Sequence, residues 1–327
     1  MNEAFWRQSR VLVGGGCGFL GSYLVPELLK LGARVTVVDN LEHGSRTALQ
    51  EFGDDVEFIE ADLRDLAICD AVTRSKDAVI NLAARAFGME YSRSHNGEML
   101  VHNLLCTLGV LDAARRNGVE RLMIVSSSCV YPDDAPVPTP ELPTFTGMPE
   151  SVNEGYGWAK RIQELAGNYY AHDFGMKITT VRPFNPYGGK YLWGSEQKAH
   201  VIPALVKRIL DGEDPLVVWG SGRQRRNFVH ARDAVRLMLQ VMERDVVAEP
   251  INIGFEDEVT IQELVALICD VAERHPKVVF DTRRPEGRFR KAAASGRLKD
   301  VVGIYRPEID LRSGIREMVD WYFRTFR

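Results

Sequence analysis

Tyr156 and Lys160 stand four residues apart in EGYGWAK, on one face of a predicted helix. A lysine ammonium beside a tyrosine lowers the phenol pKa, so the phenolate can accept a proton near neutral pH. Ser127, in SSSCVYP after the apolar run RLMIV, is placed to hold the same substrate oxygen. Cys129 lies two residues further on. A lone cysteine at a strand end is ordinarily small apolar filler, and becomes a reactive thiolate only beside a cation. Upstream, GGGCGFLG spaces glycines as Gly15-x-x-Gly18-x-x-Gly21 between a strand and a helix. Such glycines allow a tight turn and close backbone approach to a pyrophosphate at the positive helix N-terminus. Asp39 ends the second predicted strand, placed to bond both hydroxyls of an adenosine ribose. Its charge would repel a 2′-phosphate, so NAD is expected rather than NADP. Asp62, after the third strand, is either an adenine contact or the N-cap of a helix in ADLRD.

Holding these residues together requires a particular scaffold. RVLVGGG, RVTVVDN, VEFIEADL, DAVINLAA, RLMIVSSS and KITTVRPFN read as six strands, apolar nearly throughout. Between them run helical patterns: FLGSYLVPELLKLG, MLVHNLLCTLGVLDAARRNG and residues 156–174. This alternation predicts an α/β fold, a doubly wound parallel sheet of the Rossmann kind. The proline- and threonine-rich segment 132–150 reads as a loop. Beyond about residue 186 the rhythm changes, with helix-like VIPALVKRILDG, strand LVVWG, turn GSGRQRRN and strand FVHARD. A smaller, interleaved α/β substrate domain is expected there. The boundaries are 1–185 with about 228–255 for the dinucleotide domain, and 186–227 with 256–327 for the second.

The chain has 327 residues, 45% of them hydrophobic, enough for a real core. The formal net charge is −4 and no basic block stands out, which argues against nucleic acid as a partner. No run of about 18 apolar residues occurs and MNEAFWRQSR has no apolar signal core, so a cytoplasmic protein without a membrane span is expected. The five cysteines are scattered without CxxC or Cys/His clustering, which supports neither a disulfide framework nor a metal site.

Taken together, GGxxGFLG, VVDNL, NLAA, SSSxVYP, YGWAK, RPFNPYG, GSGRQRRNFVHARD, PINIG and IREMVDWY resemble the nucleotide-sugar epimerase/dehydratase branch of the extended short-chain dehydrogenase/reductase family. The resemblance runs nearly end to end. It implies hydride transfer from a sugar carbon, usually carbon 4, to NAD. It makes Tyr156 the base, Lys160 its modulator and a ribose contact, and Ser127 the hydrogen-bond partner. On the matching segments the cofactor side adds Phe19, Leu20, Asn40, Leu63, Leu82, Ala83 and Ala84. The substrate side gains Gly88, Met89, Val201, and Asn185 and Arg226 as diphosphate contacts, with Arg288 or Arg290 approaching the same group. Members of this family commonly dimerise through two helices per subunit, here 99–117 and 156–174. VHNLLCTLGVLDAA is apolar all round, as burial on two sides requires.

The resemblance also bears on Cys129. Dehydratases of the family carry an Asp-Glu pair directly after the serine; here Ser128 and Cys129 stand there. SSSCVYP is similar instead to GDP-mannose 3,5-epimerases and GDP-fucose synthases, where the cysteine acts in proton exchange at carbons made acidic by a 4-ketone. Its partner in the synthases is a histidine, matched by His200 in HVIPAL. In the epimerases it is a lysine, matched by Lys198 in QKAH. RRPEGRFRKAAASG follows the family only loosely and lacks its usual aspartate, near Ala294. The expectation is an NAD-dependent nucleotide-sugar epimerase, with a 3,5-epimerase on a GDP-sugar as its specific form. The rivals are a 4-epimerase without proton exchange, a GDP-4-keto-sugar reductase/epimerase, and a redox-sensing binding protein without chemistry. The intact tyrosine and lysine count against the last.

Overall fold

Strands buried on both faces are nearly continuous apolar runs, and the runs noted above form such strands. A computed structural model describes residues 1–190, 193, 199–284, 287–303 and 305–326. Its main sheet has seven strands in the order Pro250–Ile253, Lys177–Pro183, Arg121–Val125, Ala78–Asn81, Arg10–Gly14, Arg34–Asp39 and Val56–Glu60. Every neighbouring pair is parallel. Successive side chains go to opposite layers. Val11, Val13, Ile80 and Met123 join one core, while Leu12, Val79, Leu122 and Ile124 join the other. The edge strand Val56–Glu60 is the exception and is only partly buried.

Helix Gly21–Lys30 packs with helix Ala231–Glu243 in the first layer. Helices Leu66–Thr73, Asn96–Arg116 and Glu154–Phe174 form the second. FVHARD departs from expectation. Only Val229–His230 is strand, and Ala231 begins a helix whose buried face includes Ala234, Val235 and Met238. The strand reading failed because VH is followed directly by a helical period, AVRLMLQVM. PINIG supplies the seventh strand of the sheet.

A second core lies between helices Val201–Leu210, Ile261–Ala272 and Leu311–Phe326 and the parallel strands Leu216–Trp219 and Val278–Asp281. Three two-residue strands, Val259–Thr260, Arg225–Arg226 and Arg290–Lys291, form a small sheet in which Lys291 stands opposite Arg226. The chain after Lys291 docks on the 132–150 loop: Thr139 N donates to Ala292 O at 2.8 Å and Ala294 N to Thr139 O at 2.9 Å. Ala292 and Ala293 are fully buried there, which explains the alanine run. The order of strands reverses between Arg10–Gly14 and Ala78–Asn81. In an open parallel sheet the crevice at such a point, beyond the carboxyl ends, receives the ligand.

Candidate active site

A cleft of about 1280 Å³ opens at those carboxyl ends. Gly15, Gly18, Phe19 and Leu20 form one wall, with Asp39, Asn40, Asp62 and Leu63 beyond them and Leu82, Ala83 and Ala84 facing them. Gly21 opens the helix behind this loop. Gly15 has φ +70°, and a Cβ there would lie 2.7 Å from the Ala83 nitrogen. Its backbone is therefore bare toward the cleft. Asp39 is oriented by two backbone donors, Cys17 N at 3.0 Å and Leu41 N at 2.9 Å. Burial raises its pKa against those hydrogen bonds. The carboxylate retains acceptor capacity for a pair of hydroxyls. A glycine cradle and an oriented carboxylate at the switch point fit a dinucleotide.

Asp62 is not the helix cap; Asp65 is, accepting from Ala67 N and Ile68 N. The Asp62 carboxylate is held by Arg64 at 2.6 Å and Asn40 at 3.1 Å, and the Arg64 hydrogen bond, first among the causes, drives its pKa down. His102 also lines this part of the cleft, although its place on a helix gave no reason to assign it. It is buried, its Nδ1 has no hydrogen-bond partner among the described residues, and burial lowers its pKa. His230 is buried as well, capping the helix that starts at Ala231.

Further along the cleft, helix Glu154–Phe174 presents Tyr156 and Lys160 to the end of strand Arg121–Val125. A buried ion pair, Glu164 to Arg182 at 2.6 Å, fixes that helix to the next strand. Ser127 Oγ accepts from Cys129 N at 3.2 Å and also hydrogen-bonds the Tyr156 phenol. The expected lysine effect on the tyrosine is not the arrangement found. Lys160 Nζ donates to Val125 O at 2.8 Å and lies 5.4 Å from the Tyr156 ring centroid. Burial dominates both groups, raising the tyrosine and pulling the lysine down to about 8. For the phenol, Ser127 is the group that opposes burial.

Cys129 sits beside this pair, half-buried, whereas the other four cysteines are buried. Gly157 permits the approach of the helix: a Cβ there would be 2.7 Å from Cys129 O. The cation beside the thiol is Lys291, with Nζ 3.6 Å from Sγ. Lys291 also donates to both Glu150 oxygens, at 3.0 and 2.9 Å. Glu150 N donates to Cys129 O at 3.1 Å, and Asn153 Nδ2 donates to Glu150 Oε2 at 2.7 Å. Burial pushes the Cys129 thiol up to about 11, with Lys291 opposing and Glu150 adding. Glu150 itself is held at about 2, Lys291 overcoming its burial.

Lys198, the lysine matched to this role from sequence, lies outside the described residues. Lys291 and Glu150 were missed. The available signal was RRPEGRFRK, whose final pair stands beside Arg225–Arg226 in the small sheet. His200 lines the cleft at the start of helix Val201–Leu210. Desolvation there and the nearby Lys291 lower its pKa, while a hydrogen bond to the Ala86 backbone opposes them.

Gly88, Met89, Asn185, Val201, Arg226 and Arg288 all line the same cleft. Asn185 Nδ2 donates to Asn227 O at 2.9 Å. Arg226 Nη1 donates to Arg225 O at 2.8 Å and faces Lys291 electrostatically. Of Arg288 and Arg290, only Arg288 lines the cleft. It borders the cleft and donates to Ala135 O at 2.6 Å, while Arg290 is paired with Glu258 away from it.

Residues 11–254 match the model of the NAD dependent epimerase/dehydratase family. The chain is 36% identical over 255 residues to a putative GDP-L-fucose synthase 2 of Oryza sativa subsp. japonica, covering 75% of this chain and 72% of that one. It is 29% identical to GDP-mannose 3,5-epimerase 1 of Oryza sativa subsp. indica, over 98% of this chain and 83% of the other. Among solved structures, the UDP-glucose 4-epimerase of Thermus thermophilus in complex with NAD superposes with a TM-score of 0.82 at 27% identity, covering 97% of this chain and all of that one. With a dinucleotide cradle, a Ser-Tyr-Lys set and this match in one chain, the protein belongs to the NAD-dependent epimerase/dehydratase family.

Proposed function

We propose that this enzyme epimerises a nucleotide sugar through a 4-keto intermediate, exchanging protons at carbon 3 or 5, with a GDP-sugar as the favoured substrate. The observation that carries the reading is the position of Cys129, beside Tyr156 in the cleft with a buried lysine and glutamate against it. A plain 4-epimerase has no use for that cluster. The preference for GDP rests on the likeness to the two GDP-sugar enzymes.

Gly15, Gly18, Asp39 and the Leu82–Ala84 segment would hold NAD, which would supply the acceptor and donor of hydride. Tyr156 takes the proton of the carbon-4 hydroxyl, and Ser127 holds that oxygen. Ketone formation acidifies the hydrogens on carbons 3 and 5, because the conjugate base is an enolate. Cys129 exchanges a proton there, with His200 or Lys198 as the second group. Asn185, Arg226 and Arg288 hold the diphosphate; a guanidinium bonds phosphate oxygens bidentately. Leu205, Val218 and Trp219 also line the cleft and are candidate contacts of the base.

The two-domain division at 1–185 with 228–255, and 186–227 with 256–327, is part of this reading, supported by the separate second core. So is a cytoplasmic homodimer. Val101 and Leu105 on one helix and Tyr169 and Phe174 on the other are exposed apolar residues on the pair expected to form its interface. Among the described residues, no helix is long and apolar enough to cross a membrane.

The test is incubation with a panel of GDP-, UDP-, dTDP- and CDP-sugars, with products identified by NMR. An epimer of one GDP-sugar is expected. Stoichiometric consumption of reduced cofactor instead would establish a reductase.

A further inference from the structure

The mechanism above leaves unexplained why a cysteine in this cleft has an ion pair buried against it. Lys291 and Glu150 are nearly inaccessible, at 6% and 4% exposure, and taking two charges out of water is costly unless each is paired. Both touch Cys129 by independent contacts: the lysine through Nζ to sulfur, the glutamate through its backbone nitrogen and a side-chain hydrogen bond. Their backbones are fixed by different devices. Lys291 lies in the three-stranded sheet, clamped by the Thr139 contacts that follow it. Glu150 ends the 132–150 loop beside the first turn of the helix that carries Tyr156.

We propose that Lys291 and Glu150 are positioning residues that set the charge on Cys129, with the Lys291 ammonium receiving the thiolate formed in proton exchange and Glu150 holding that ammonium in place. This rests on the reading of Cys129 as the exchanging group. In the protonation step the S–H bond breaks and a C–H bond forms at the enolate carbon. The negative charge moves from the enolate oxygen to sulfur, beside Lys291. In the reverse step the thiolate takes the carbon-bound proton and the charge returns to the enolate. No net charge enters or leaves the cleft. The thiol rests protonated, because Glu150 neutralises Lys291 until a thiolate competes for it.

Other charged or titratable groups face the cluster and remain constant in the test. Tyr156 and Lys160 approach from their helix, His200 from the start of the helix after it, and Arg226 and Arg288 from the substrate wall. None of these contacts sulfur directly in the way Lys291 does.

The experiment is alkylation of Cys129 by iodoacetamide in the NAD-bound enzyme, followed by peptide mass spectrometry from pH 6 to 10. Glu150→Gln frees Lys291 for the thiolate and is expected to speed alkylation at pH 8 by about tenfold, one unit of thiol pKa. Glu150→Gln combined with Lys291→Gln, an uncharged pair of similar shape, is expected to abolish that gain. A general loosening of the fold would speed both variants alike. An unchanged or slower Glu150→Gln enzyme, or a double variant as fast as the single one, would overturn the proposal. A second readout uses solvent deuterium exchange into the sugar. Lys291→Gln is expected to lower kcat for exchange on the order of a hundredfold with little change in KM, and Lys291→Arg to restore most of it. Equal losses in both variants would reduce Lys291 to packing. Alkylation needs no sugar, so its expected pattern alongside a wild-type enzyme that exchanges nothing would sink the role of Cys129 and leave the charge pair standing.

Discussion

The two residue clusters that meet in the cleft are built differently. Tyr156 and Lys160 come from one helix, four residues apart, and Ser127 from the strand end next to it. Cys129, Glu150 and Lys291 come from three segments, and the last is 141 residues from its glutamate partner. The first side is local chemistry mounted on the central sheet. The second exists only once the small three-stranded sheet docks on the 132–150 loop. In the proposed mechanism the hydride-transfer side rests on the central sheet alone, and the proton-exchange side needs the small sheet docked on the 132–150 loop.

The largest expected effect tests the order of the two halves. Tyr156→Phe should lower turnover by on the order of 10³, the range for removing a positioned base. Because ketone formation precedes exchange, deuterium incorporation should fall with it; surviving exchange would separate the halves. Next comes stability. Replacing one member of a buried ion pair costs about 3 kcal/mol, so Glu150→Gln should be destabilised by about that much at neutral pH. Its sign with pH is fixed by the depressed pKa of about 2. Stability from such a carboxylate is complete above the unfolded value of about 4.3 and is lost as pH falls toward the folded one. Urea melts should therefore show the gap between wild type and variant closing between about pH 5 and 2.

Cys129→Ala sharpens the comparison from the other side. Exchange at carbons 3 and 5 should fall by about a hundredfold while 4-ketone formation persists, read by trapping the ketone. Asp39→Asn should weaken NAD binding by about tenfold to a hundredfold in a calorimetric titration and relax discrimination against NADP. The smallest effect is on assembly. Leu105→Glu, an exposed position on the proposed dimer helix, should shift sedimentation toward monomer without changing the melting temperature.

Legibility from sequence followed the same division. Most strands from Arg10–Gly14 to Lys177–Pro183 could be read because burial on both faces favours largely apolar runs, although Thr179, Thr180 and Arg182 interrupt the last. The dinucleotide loop and the Tyr-Lys pair could be read because each lies within one short segment. Lys291 could not, since a two-residue strand has no periodicity and its partner Glu150 stands in an irregular loop. The alanine run after Lys291 looked like a loss of family pattern; the structure shows it to be the close-packed contact with Thr139 that places the lysine. His102 was hidden by its helix. Periodicity gives the face of a helix, but the wall of a cleft cut into that face becomes visible only after folding. The Lys160 effect on Tyr156 was a contact argument from spacing, and in the structure the lysine spends its ammonium on Val125 O instead.

One measurement tests the central claim most directly: incubation with the active nucleotide sugar in heavy water, with deuterium located by NMR in the recovered pool. Deuterium on carbon 3 or 5 in the wild type, and none in Cys129→Ala, is the result expected. Inversion at carbon 4 with no deuterium in either enzyme would contradict it, and would return Cys129, with its lysine and glutamate, to the packing of the cleft wall.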